Sequence, residues 1–68
     1  MITEEQIILF AANKVVKMND RVLSALQSLK IPVTYKDDKQ TKHAWVNFEK
    51  TPLAGGGYSW NPSGVERI

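Results

Sequence analysis

The sequence predicts a small α+β domain: two N-terminal helices followed by a β-hairpin. Three observations carry that reading. Apolar residues recur at helical spacing over the first thirty positions. They alternate with polar ones in the middle of the chain. After position 51 the composition turns Gly- and Pro-rich. At 68 residues the chain is one domain, with a helical part at 3–30, a hairpin at 32–50 and a C-terminal segment at 51–68. A chain this short buries only about 60% of the surface its unfolded form exposes, so the core is thin.

Thr3 is a good N-cap, and Gln6 three residues later completes a capping box. Glu4 and Glu5 fall in the first turn, where the helix dipole favours acids. Ile7, Ile8, Ala11, Val15 and Met18 keep helical spacing, so helix one runs from about Thr3 to Lys17. Asn19-Asp20 is a poor helix interior and a good N-cap. Val22, Leu23, Leu26 and Leu29 then form a second apolar stripe, read as a helix from about Asp20 to Lys30 and closed by Pro32. Ile31, preceding a proline, is expected to be extended.

A second reading of residues 3–30 stays open. Ile8, Val15, Val22 and Leu29 are spaced by seven, with Ala11, Met18 and Ala25 between them. One long helix paired with a copy of itself would use this pattern, giving a homodimer or another helical homo-oligomer. Asn19-Asp20 favours the broken version.

Pro32-Val33-Thr34-Tyr35-Lys36 is rich in strand formers, and Asp37-Asp38-Lys39-Gln40-Thr41 reads as a polar loop of about five residues. Over the following stretch Ala44, Val46 and Phe48 alternate with His43, Trp45 and Asn47. Gly55-Gly56-Gly57 reads as a hinge. Tyr58-Ser59-Trp60 is either a short third strand or a segment docked on the core. Asn61-Pro62-Ser63-Gly64 is a turn signal, and Val65 to Ile68 a frayed tail.

Composition excludes several classes. There is no Cys, so no disulfide, which fits a reducing compartment. The apolar run Ile7 to Ala12 falls far short of the ~20 residues of a membrane span. Met1 to Glu5 lacks the basic start of a signal peptide. The expectation is a soluble, cytoplasmic protein with no membrane partner. His43 is the single histidine, too few for a metal site, and Asp37-Asp38 is explained as turn chemistry. Ser24, Ser28, Ser59 and Ser63 sit in no nucleophile elbow. The triple glycine is followed by Tyr58, not by the Lys-Ser/Thr of a P-loop. No catalytic residue, metal or cofactor is expected, and the chain is read as a binding protein.

What it binds follows from charge and aromatics. The net charge is only +2, but residues 14–50 hold eight Lys and Arg against four Asp and Glu. A basic bias of this kind admits an anionic partner. Two helices and a basic hairpin occur in this order in winged helix-turn-helix proteins, where the second helix lies in the major groove. Arg21, Ser24, Gln27 and Ser28 would then meet base edges. Lys36, Lys39 and Lys42 on the hairpin, with Lys14 and Lys17 from helix one, would meet phosphates. The segment VLSALQSLKIPV, residues 22–33, resembles the recognition helix and following Ile-Pro step of excisionase-type and MerR-type winged helix-turn-helix domains, with Trp45 as the aromatic of the second strand. That resemblance implies a small DNA-binding or DNA-bending protein of the kind found in mobile elements. The alternative is an inhibitor or adaptor that holds a protein partner with Trp45, Tyr58 and Trp60.

Overall fold

The computed structural model describes all residues, 1–68, and the chain is α+β. Two helices, α1 (Glu4–Val16) and α2 (Asp20–Ala25), precede three strands: β1 (Ser28–Asp37), β2 (Gln40–Pro52) and β3 (Tyr58–Arg67). The strands form one antiparallel sheet in the order β1-β2-β3. At ~3.3 Å per residue, the 13-residue β2 sets the 44 Å long axis of a molecule only 19 and 16 Å across. No helix is long and apolar enough to cross a membrane.

Helix α1 begins as its sequence dictates. The Thr3 side chain accepts from the Gln6 N–H at 3.2 Å, and the Thr3 N–H donates to Gln6 Oε1 at 2.9 Å. Ile7, Ala11 and Val15 form its buried stripe. That stripe packs on the sheet face made by Leu29, Ile31, Val33 and Tyr35 of β1 and by Ala44, Val46 and Phe48 of β2. Leu23 of α2 completes the core.

The break at Asn19-Asp20 is present, and three other expectations change. Residues 3–30 do not form one helix, because α1 ends at Val16 and the Asn19 side chain caps α2 by accepting from the Arg21 N–H at 2.8 Å. The heptad positions are split: Ile8 and Val15 lie on α1, Val22 on α2 and Leu29 on β1. Nor does α2 reach Lys30. It stops at Ala25 after six residues, and Leu26 is already extended (φ −100°, ψ 149°). Leu29 belongs to both an i, i+3 pattern with Leu26 and an alternating pattern with Ile31, Val33 and Tyr35. The alternating pattern wins because it buries four side chains against β2 and α1, while so short a helix gains little by itself. Pro32 therefore ends no helix; it sits within an edge strand, where a missing N–H is tolerated.

The hairpin loop is also tighter than expected. β1 and β2 pair up to Asp37 and Gln40, leaving a two-residue turn. Asp38 (φ 51°) and Lys39 (φ 64°) both take positive φ, as a type I′ turn requires. Finally, the third strand offered at Tyr58-Ser59-Trp60 is present but ten residues long, taking in the expected turn and tail. Gly56 (φ 95°) and Gly57 (φ 78°) reverse the chain, and Tyr58 to Arg67 pairs with β2 from Pro52 back to Ala44. Ser63 is an extra residue there, since Asn47 pairs with Gly64 while Phe48 pairs with Pro62. The Asn-Pro-Ser-Gly signal marks a β-bulge. The result is a three-stranded sheet under one main helix, without the long second helix of a winged helix-turn-helix.

Candidate functional site on the open face of the sheet

A β-strand sends successive side chains to opposite faces. On β1 the burial alternates strictly, so Ser28, Lys30, Pro32, Thr34 and Lys36 are all exposed. Their neighbours on β2 are His43, Trp45, Asn47 and Glu49. On β3 the face continues through Glu66. Both helices contribute their buried side chains to the other side of the sheet, so this face lies open.

Trp45 stands at its centre, half-buried, opposite Pro32 on β1 and Glu66 on β3. The Lys30 ammonium lies 5.3 Å from the centre of the Trp45 ring and 3.1 Å from the Glu66 carboxylate. Asn47 Nδ2 donates to the same carboxylate at 3.4 Å. The hydrogen bond from Lys30, then that from Asn47, and the charge of Lys30 hold the Glu66 carboxyl below its ordinary pKa. Nearer the tight turn, Thr34 Oγ1 and His43 Nδ1 are 3.1 Å apart. Beside the β3 bulge the face sinks into a depression of about 510 Å³, bordered by Ser28, Lys30, Asn47, Glu49 and Ser63.

The residues expected to contact DNA do not share one surface. Arg21 and Ser24 lie on α2, where Ser24 Oγ donates to the Arg21 carbonyl at 3.1 Å. Gln27 lies between α2 and β1, and its carbonyl accepts from the Lys50 N–H. Ser28 is on β1 and borders the depression. The recognition surface implied by a helix over 20–30 is thus not formed. Lys14 donates its ammonium to the Pro32 carbonyl, which occupies it. Lys42 faces the inner side and pairs with the buried Asp37 at 3.5 Å. Burial pushes the Asp37 pKa up, but the Ile2 amide, the Lys42 charge and the N-terminal ammonium outweigh it and hold the pKa below its ordinary value. Lys17 is exposed at the end of α1, Lys36 points out from the open face, and Lys39 lies in the turn beside it.

The three aromatic candidates also separate. Tyr58 and Trp60 lie on the inner side in an edge-to-face pair, ring centres 6.0 Å apart. The Lys50 ammonium sits 4.4 Å from Tyr58 and 5.5 Å from Trp60, and donates to the Ser24 carbonyl at 2.9 Å. Lys50 thus ties α2 to β2 while both rings pack against the core, leaving Trp45 as the aromatic of the open face.

Sequence reasoning missed Lys30, Glu49, Ser63 and Glu66. The signal for Lys30 was the polar half of the 28–36 alternation, hidden while Leu26 and Leu29 were read as a helix stripe. Ser63 and Glu66 could be placed only by the register of β3. No protein-family model, curated protein or solved structure matches the chain at a significant level.

Proposed function

We propose that this protein binds nucleic acid, using the open face of its sheet in place of a recognition helix. The observation that carries the reading is Trp45, set among polar side chains on an uncovered sheet with Lys30 against its ring. Aromatic side chains on sheet faces stack on bases, worth about 1–3 kcal/mol each. A cation over an exposed ring is worth about 0.5–1 kcal/mol. A base can therefore displace Lys30 from the Trp45 ring, and the freed ammonium can turn to a phosphate. Lys36 and Lys39 supply further positive charge at the turn end, about 20 Å along the strand from Lys30.

The test is fluorescence anisotropy of labelled oligonucleotides titrated with protein at several salt concentrations. About three phosphate contacts on a single strand give a slope of log affinity against log salt near −2. Absence of binding at low salt to both single strands and mixed-sequence duplex overturns the reading. Capture of a protein partner that survives nuclease treatment, with no oligonucleotide binding, would favour the adaptor alternative.

A further inference from the structure

The depression at the β3 bulge has an uneven supply of hydrogen-bonding groups. Three of its donor groups are engaged: Lys30 with Glu66, Asn47 Nδ2 with Glu66, and the Ser63 hydroxyl with the Asn47 backbone carbonyl at 3.3 Å; the Ser28 hydroxyl, which can donate or accept, completes the border. Its acceptors are not engaged. Glu49 points from β2 between Ser28 and Asn61, exposed, with no ion pair or hydrogen bond to its carboxylate. The side-chain oxygen of Asn47 and the lone pairs of Ser63 also remain available. A site rich in acceptors, with a carboxylate at its rim, selects a ligand edge rich in donors.

We infer that this depression holds one unstacked guanine of a single-stranded nucleic acid, with Glu49 accepting from its N1–H and its exocyclic amino group. The inference rests on the sheet-face reading and extends it to the identity of the base. Guanine is the nucleobase that offers two adjacent donors on one edge. Cytosine and adenine each place a ring-nitrogen acceptor beside their amino group, which a carboxylate repels. Thymine and uracil flank their single N–H with two carbonyls. In a duplex this guanine edge is occupied by its pairing partner, so the strand must be single, as sequence-specific readers of unpaired bases require. The volume of about 510 Å³ falls within the range of small-molecule pockets. The depression shares Lys30 and Asn47 with the surroundings of Trp45, so a neighbouring base can stack on that ring.

The experiment measures binding of thymidine oligomers of about nine nucleotides whose central base is T, A, C or G, and of the uridine series with the same substitutions. Wild-type protein should bind the guanine oligomer roughly fivefold or more tightly than the others, the range of one good bidentate contact. Glu49→Gln should abolish that preference and leave affinity for the all-thymidine strand unchanged or slightly raised. Trp45→Ala should weaken every oligomer and keep the guanine ratio. A guanine effect in either sugar series supports the inference and identifies the natural strand. Equal binding of all central bases, or a guanine preference that survives Glu49→Gln, overturns it while the sheet-face reading stands. Failure to bind any of these single strands overturns the inference, and the sheet-face reading falls with it if mixed-sequence duplex is not bound either.

Discussion

Along β1 the two faces of the sheet differ at every step. Leu29, Ile31, Val33 and Tyr35 are buried, whereas Ser28, Lys30, Pro32, Thr34 and Lys36 are exposed. The inner face meets α1 and supplies the core. The outer face meets no other element and gathers Trp45, Asn47 and a chain of charged contacts. Because strand side chains alternate, a single residue step along the backbone separates a position that sets stability from one that sets recognition. Substitutions on the two faces should accordingly move different observables.

The largest effect is expected inside. Ile7 is fully buried, and Ile7→Ala should cost about 2–5 kcal/mol. A chain of this length has roughly 3–10 kcal/mol in total. Urea denaturation should show the variant largely or partly unfolded, and any binding defect should follow the unfolded fraction. Trp45→Ala on the opposite face should do the reverse. Oligonucleotide affinity should fall roughly 5- to 150-fold, the equivalent of one lost stacking contact, while the melting temperature shifts by only a few degrees. If Trp45→Ala unfolds the protein as Ile7→Ala does, the division between faces fails. Replacing Lys36 and Lys39 together by Ala should be milder. Affinity should drop severalfold at low salt, and the salt slope should lose about 0.7 per lysine.

The smallest effect is expected from acid. Asp37 and Glu66 both have folded-state pKa values below their ordinary 3.8 and 4.5. The unfolded chain therefore takes up these protons first as pH falls. Their contribution is fully present above the ordinary values and is lost as pH drops through the lower folded values. Urea midpoints followed from neutral to strongly acidic pH should decline over that window. Lys42→Ala on the inner side should flatten the Asp37 part, and Lys30→Ala on the outer side the Glu66 part.

Much of the fold was legible in the sequence where one pattern stood alone. The capping box of Thr3 and Gln6 and the stripe Ile7, Ala11 and Val15 specified α1. The alternation of Ala44, Val46 and Phe48 specified the buried face of β2. Legibility failed where two periods overlapped, at Leu26 and Leu29, because the choice depended on burial against residues twenty positions away. It failed again after Gly57, where Asn61, Pro62, Ser63 and Gly64 resemble a turn locally. Only pairing with β2 makes a bulged strand of them. The candidate site suffered from both failures. Trp45 was visible as a polar-face aromatic, but the residues that surround it come from β1 and β3.

Both edges of the sheet carry a proline, Pro32 on β1 and Pro62 on β3. At Pro32 the carbonyl is taken by the Lys14 ammonium. A further strand sliding along β1 would thus meet no N–H and an occupied carbonyl midway along the edge. Such interruptions are how natural sheets discourage growth from copy to copy. For a protein whose flat face is left bare, this bears on survival at high concentration: the sheet can stay uncovered without becoming the template for a fibril.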